Sequence, residues 1–312
     1  MVDMHTKAKV LIIGATGFIG IYMVKASIKL GHPTFILVRS LTPSDPAKAQ
    51  LLKSFRDSGV TVLEGDLNDH ENLVNVLRQV DVVIATVSGS GIREQVNIIK
   101  AAKEAGTIKR FLPSEFAIDL DKATIEFEEV AESVEFGMKQ TIRREVEKSG
   151  IPYTFVVSGG FAGYWSASLG NDNLDSPPRD KVTIWGDGTA KGIVNNEEDI
   201  ATFTLKAIAD TGTENKTLHI RPKENKVSQR DIISLWESKI GHTLEKTVVS
   251  QEEVVKITQE TPFPKNIPHA VRYSVWVKGS QNFELDSNDV EATELYPDVR
   301  YKTMSEYLDQ FI

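Results

Sequence analysis

At 312 residues, with 40% hydrophobic and 26% charged residues, the chain has the size and balance of a globular protein able to bury one large core and a smaller lobe. Its net charge of −8 gives no overall attraction to phosphate backbones or anionic lipid, which sets nucleic-acid and membrane-surface roles aside. With no cysteine, disulfides, thiolate catalysis and cysteine-ligated zinc are excluded.

Met1 to Lys9 is polar and runs straight into a strand. Nothing there resembles a signal peptide, and no apolar run reaches membrane-spanning length, so the cytoplasm is the expected compartment. The first half then alternates short β-branched runs with amphipathic stretches. Strands are predicted at Val10 to Ile13, Thr34 to Val38, Val60 to Leu63, Val82 to Val87, Arg110 to Leu112 and Thr154 to Val157. Helices between them include Asn72 to Gln79, Arg93 to Ala105 and Glu132 to Ser149. Right-handed crossovers make this a doubly wound parallel sheet. After Ser158 the pattern turns irregular, with a hairpin expected at Asp187-Gly188 and helical segments at Gln229 to Ile240 and Gln251 to Thr258. Tyr273 to Val277 alternates like a strand and is expected to return to the main sheet. The predicted organisation is a nucleotide-binding domain over 1–158 and a smaller, interleaved C-terminal substrate lobe over 159–312.

Gly14-Ala15-Thr16-Gly17-Phe18-Ile19-Gly20 follows the first strand and opens a helix, the setting of a dinucleotide-binding loop in a Rossmann-type α/β fold. Gly14 permits the tight turn, Gly17 lets backbone approach a pyrophosphate, and Gly20 lets helix and strand pack closely. The helix N-terminus then faces the phosphates. An NAD site ends its second strand with an acid. Here Val38 is followed by Arg39 and Ser40, with Lys48 soon after, which favours the 2′-phosphate of NADPH. Thr86, ending the fourth strand, is placed where the nicotinamide half would pass, and Asp66 either borders the adenine or caps the next helix.

A conventional short-chain dehydrogenase carries Tyr-x-x-x-Lys on its fifth helix. This chain has Lys139 at the matching place and Glu135, not tyrosine, four residues earlier. One reading is a surface ion pair between Glu135 and Lys139. The other rests on helix phase: Val134, Met138, Ile142 and Val146 mark the buried stripe, and Lys139 stands at its margin, able to reach a cleft and act as a base.

The loop over 14–20, Ile108-Lys109-Arg110-Phe111-Leu112-Pro113-Ser114-Glu115-Phe116, Ile151-Pro152-Tyr153-Thr154 and Leu295-Tyr296-Pro297-Asp298-Val299 together resemble the plant family of isoflavone, phenylcoumaran benzylic ether, pinoresinol-lariciresinol and leucoanthocyanidin reductases and the propenylphenol synthases. The resemblance covers essentially the whole chain. It implies atypical, NmrA-like short-chain dehydrogenases that use NADPH and a single lysine, matched here by Lys139 between Phe136 and Arg143. It also implies Thr16 to Ile19 on the pyrophosphate and Arg39 with Lys48 on the 2′-phosphate. Two departures stand out. Ala117-Ile118 replaces Gly followed by Met, Asn or His, which argues against the leucoanthocyanidin branch. Gly159-Gly160-Phe161 replaces Asn-Cys-Phe near the nicotinamide, and these smaller residues are expected to leave extra room there.

The expected activity is NADPH-dependent reduction of a small phenolic plant metabolite at a benzylic or conjugated carbon, through a quinone methide with Lys139 as base. Phe161, Tyr164 and Trp165 offer aromatic faces to such a ligand, and His269 is a further candidate. Phe161 also counts as a cofactor contact. The spacing of the histidines suggests no metal site. A homodimer is one assembly the sequence leaves open. The alternative is an NmrA-like dinucleotide sensor without turnover, which would need the glycine loop but not Lys139.

Overall fold

The computed structural model describes residues 7–171 and 174–312; residues 1–6 of the polar lead-in lie outside them. The first third alternates as predicted: β1 (Val10–Ile13), α1 (Phe18–Lys29), β2 (Thr34–Val38), α2 (Pro46–Asp57), β3 (Thr61–Glu64), α3 (His70–Leu77), β4 (Val82–Ala85), α4 (Ser90–Ala105) and β5 (Arg110–Leu112). The five strands form one parallel sheet in the order β3-β2-β1-β4-β5. Val10 sits between Thr34 on β2 and Val82 on β4. The order reverses beside β1, so the carboxyl ends of β1 and β4 flank a topological switch point, where such sheets bind ligands. Every residue of β1 and β4 is buried, which is why these strands read as unbroken apolar runs.

Next come α5 (Glu128–Ala131) and α6 (Gly137–Ser149). The helix predicted from Glu132 therefore starts five residues late. The backbone passes so close to the preceding turn at Gly137 that a Cβ there would lie 3.0 Å from the Ala131 carbonyl oxygen. Val134 consequently falls outside the helix, while Ile142 and Val146 are buried with Met138 packed beside them. β6 (Thr154–Val157) does not join the five-stranded ladder; Phe111 and Tyr153 make an isolated parallel bridge instead.

The remaining strands and α-helices are β7 (Gly160–Phe161), α7 (Ala162–Trp165), β8 (Lys181–Trp185), β9 (Lys191–Asn195), α8 (Glu197–Ala207), β10 (Lys216–His219), β11 (Lys226–Ser228), α9 (Gln229–Ile240), β12 (Glu245–Val249), α10 (Gln251–Glu260), α11 (Ile267–Arg272), β13 (Asp289–Glu291), α12 (Ala292–Leu295) and α13 (Met304–Leu308). Two expectations fail here. The turn at Asp187-Gly188 exists, with Asp187 Oδ1 accepting from Thr189 N at 2.8 Å, but it joins no hairpin. β8 pairs in parallel with β12, whereas β9 pairs with β7 and β11. Tyr273–Val277 is a π-helix continuing from α11, not a returning strand. Tyr273, Ser274, Val275 and Trp276 are all buried, so the run is enclosed on every side, and periodicity cannot separate such a segment from a strand.

Contacts sort the chain into two compact units. The first comprises 7–115, 138–156 and 201–218; the second comprises 116–137, 157–200 and 219–312. In the first unit the sheet, α4 and α6 share a core that includes Leu11, Val83, Ile98, Phe111, Ile142 and Val146. In the second, Ile118, Ile184, Val194, Trp236 and Trp276 belong to one core. Among the described residues no helix is long and apolar enough to cross a membrane.

Candidate active site

The glycine loop has the geometry its spacing implies. Gly14 adopts φ +86°, and a Cβ there would lie 2.5 Å from the Thr86 carbonyl oxygen. At Gly20 a Cβ would overlap the Gly14 carbonyl oxygen, so only glycine lets α1 cross β1 this closely. Gly17 is the N-cap of α1; no side chain caps that end and its first turn carries no acid. The positive end of the helix dipole is thus left for an anion.

A cleft of about 830 Å³ opens at this switch point, entirely within the first unit. Gly14, Thr16, Gly17, Arg39, Lys48 and Thr86 line it. Arg39 and Lys48 are exposed, as a pair reaching for a solvated phosphate would be. Asp45 caps α2, its Oδ1 accepting from Ala47 N at 2.9 Å and Lys48 N at 3.4 Å. The N-terminus of that helix is therefore already occupied by a carboxylate. Thr86 is buried and its hydroxyl donates to Ile13 O at 2.9 Å, tying β4 to β1 at the floor of the cleft. Asp66 lines the cleft as well, but α3 is capped by Asp69; Asp66 instead accepts from Asn68 N in a tight turn.

Phe18, Ile19 and Gly20 do not line the cleft. Phe18 is exposed against Tyr22 and Ile19 is buried beneath the helix. The Phe18 and Ile19 side chains thus stay off the cleft, while the backbone N–H groups of Phe18 to Gly20 form the uncapped start of α1. The geometry suits a dinucleotide phosphate: uncapped backbone, a strip that a Cβ would fill, and two cations at the end of β2.

Lys139 lies in the first turn of α6, half-buried, and its Nζ donates to the Glu115 carbonyl oxygen at 2.8 Å. Glu135 precedes the helix, so the i,i+4 pairing expected from sequence has no helical turn to form on. Lys139 is not among the residues lining the 830 Å³ cleft. Sequence reasoning missed its surroundings. Glu115 and Arg143 form a buried ion pair, with Nη2 to Oε2 at 2.6 Å and Nε to Oε2 at 3.0 Å. Ser114 is held by Gln95 and by the Val87 carbonyl. The only sequence signal was the Pro113-Ser114-Glu115 motif itself.

The aromatic candidates all lie in the second unit. Phe161 and Tyr164 approach with ring centroids 5.9 Å apart, and Tyr164 is 59% exposed. Trp165 faces Trp276 at 6.2 Å. The room expected at Gly159-Gly160 is not empty. A Cβ on Gly160 would lie 2.5 Å from Trp165 Cδ1, and one on Gly159, at φ +67°, would overlap the Ile193 carbonyl oxygen. The indole therefore fills the space that a side chain at 160 would take. Ile118 is buried in the core of this unit. His269 sits in α11, its Nδ1 2.8 Å from Arg272, whose guanidinium lies 4.1 Å from the centre of the Trp185 ring. That contact ties His269 to the last turn of α11.

Histidine spacing suggested no metal ligands, yet the fold brings Asp119, His219 and Asp289 within 4.8 Å of one another. Lys122 shares Asp289 at 3.0 Å, and burial pushes the His219 imidazole down despite the Asp289 hydrogen bond. With a lysine already supplying positive charge, the cluster reads as a buried ion network.

A parallel sheet with a glycine loop at its switch point and cations at the end of β2 defines a dinucleotide-binding α/β protein of the NADP(H) type. The NmrA-like family model matches residues 6–308. A phenylcoumaran benzylic ether reductase from Ginkgo biloba is 54% identical over 98% of this chain and 99% of its own length. The crystal structure of an isoflavone reductase superposes with TM-score 0.93 at 47% identity, covering 98% of this chain and 100% of that one. A leucoanthocyanidin reductase–NADPH complex from Vitis vinifera gives TM-score 0.89 at 36% identity, covering 97% and 99%. The chain belongs to the NmrA-like family, among its isoflavone reductase-like members, and is an NADPH-dependent oxidoreductase. The sensor alternative without turnover is set aside, because these relatives are named reductases over almost the whole chain.

Proposed function

We propose that the protein reduces a small phenolic benzylic ether, with Lys139 as its proton-transfer residue. The observation that carries the reading is Lys139 itself, half-buried in the first turn of α6, with Glu135 where a conventional enzyme has tyrosine. Gly14 to Gly17, Arg39, Lys48 and Thr86 would hold NADPH, and Phe161, Tyr164 and Trp165 would offer ring faces to the phenol. Bound there, NADPH supplies hydride. A benzylic ether carbon is not electrophilic until the para-phenol is ionised. Lys139 in its amine form takes that proton, and the phenolate electrons expel the benzylic oxygen, leaving a quinone methide whose benzylic carbon accepts the hydride. The proton then held on Nζ is available to the departing oxygen, so acid and base are one residue, and the para-phenolate that hydride addition regenerates takes its proton from solvent. The Ginkgo relative's name favours a benzylic ether over an isoflavone. A cytoplasmic location, a homodimer as one possible assembly, and no membrane or nucleic-acid partner belong to the same proposal.

The test is product analysis after incubation with NADPH and a phenylcoumaran bearing a free para-hydroxyl. Lys139→Ala is expected to bind NADPH within a few-fold of wild type while turnover falls by about 10²–10⁴. Methylating the para-oxygen should abolish reduction. Near-normal kcat for Lys139→Ala, or reduction of the methyl ether, overturns the mechanism.

A further inference from the structure

The group holding Lys139 is unusual in that one residue grips α6 twice. The Glu115 main-chain carbonyl accepts from Lys139 Nζ, and its carboxylate accepts from Arg143 one helical turn further on. The Glu115 and Arg143 side chains are 2% and 1% exposed. Both Arg143 donors converge on Oε2, while Oε1 is buried without a hydrogen-bond partner. Arg143 is confined from another side by the Phe155 ring, 5.1 Å from its guanidinium carbon. Glu115 is itself fixed: the preceding Ser114 donates its N–H to Gln95 Oε1 at 2.8 Å and its hydroxyl to Val87 O at 2.7 Å. Val87 is a wall of the cofactor cleft.

Holding a helix down does not call for such a pair. Apolar residues of similar volume would do so without stripping water from two charges. Apolar packing would not set the rotation and height of the helix with the directionality of a hydrogen-bonded fork. We propose that Glu115 and Arg143 are positioning residues that fix the Lys139 ammonium relative to the β4 end of the cofactor cleft. The proposal rests on the reading of Lys139 as the proton-transfer group.

The deciding experiment compares kcat, KM and NADPH affinity with a free para-hydroxyl phenylcoumaran, using Lys139→Ala as reference. The double variant Glu115→Leu/Arg143→Met exchanges the pair for apolar side chains. It is expected to fold and bind NADPH within about twofold, with kcat reduced about 10- to 100-fold and KM little changed. Glu115→Gln leaves a cation buried one turn from Lys139 and should lower the pH at which the Lys139-dependent limb of kcat titrates. Arg143→Gln leaves an anion and should raise it. Wild-type kcat in the double variant, with unshifted profiles in the single ones, means the pair only supports the fold and overturns the proposal. If the double variant does not fold, Arg143→Lys decides: charge kept without the fork should restore folding but not full kcat, and full kcat overturns the proposal. Near-normal turnover by Lys139→Ala would defeat the reading of Lys139 itself, and the positioning role with it. That result is distinct from an active double variant beside an inactive Lys139→Ala.

Discussion

The loop at 14–20 and the segment at 159–165 are both glycine turns leading into a helix, and the glycines do opposite things. In the first, missing side chains let backbone approach backbone: Gly14 against Thr86, Gly20 against Gly14. The result is an open cleft of about 830 Å³. In the second, Gly159 lies against the Ile193 carbonyl, but Gly160 is bare because Trp165 has taken its space. A glycine can thus mean room made or room already filled, and only the partner atom distinguishes the cases.

Substitutions probe that contrast directly. The largest effect is expected at Gly20→Val, since its Cβ meets backbone that no rotamer change can clear; NADPH affinity should fall by more than about a hundredfold, or the fold should lose several kcal/mol. Calorimetric binding and thermal unfolding distinguish these routes, and a variant normal in both would contradict the close crossing. Arg39→Asp should come next, weakening NADPH about tenfold to a hundredfold while sparing NADH. Equal wild-type affinity for both dinucleotides would remove the 2′-phosphate site.

Gly160→Ala tests the filled glycine. It should destabilise by about 1–3 kcal/mol through overpacking against the indole, and much less in a Trp165→Ala background. A neutral Gly160→Ala in wild type would mean that Trp165 moves away at little cost and that the segment opens space after all. The smallest expected effect concerns the acids at the start of α8. Glu197 accepts from Gly163 N at 2.8 Å and so tethers the aromatic segment, while Asp199 accepts from Lys302 N. Burial pushes Asp199 up to about 6, against the hydrogen bond and charge of Lys302. A raised folded-state value means that its stabilising contribution is complete below about pH 4 and lost as pH rises through about 6. Asp199→Asn keeps the acceptor without the charge, so it should raise stability by about 1–2 kcal/mol at pH 7 and change little at pH 4. Equal stability gains at both pH values would show that the charge is not the cause.

The same contrast explains what could be read in advance. β1 to β5, α1, α3 and α4 were legible because each is announced by a local apolar run and a local break, whereas α2 (Pro46–Asp57) was not among the predicted helices. The glycine loop was legible because its function is backbone clearance at fixed spacing. Arg39 was singled out by its place after β2, and it lines the same cleft as the glycine loop. Lys139 was found through its motif, but the atoms that hold it come from residues 24 and 28 positions from their partners, a pairing that only the β5–α6 geometry creates. Tyr273–Val277 was misread because burial on all sides erases periodicity. The hairpin at Asp187-Gly188 failed because a turn signal fixes a reversal, not the strand that each arm pairs with. Trp165 filling the place of a side chain at 160 is a packing fact without any sequence spacing of its own.

Asp45 at the head of α2 has a consequence for how the two nucleotides are told apart. By accepting from the first N–H groups of that helix, its carboxylate offsets the positive end of the α2 dipole beside Arg39 and Lys48. What remains is two exposed side chains. In water at physiological ionic strength their field fades within roughly 8 Å, so they act at contact range and contribute little to steering. If Arg39 and Lys48 hold the 2′-phosphate as proposed, cofactor choice would be exercised after the dinucleotide has arrived, through how long it stays more than through how fast it comes.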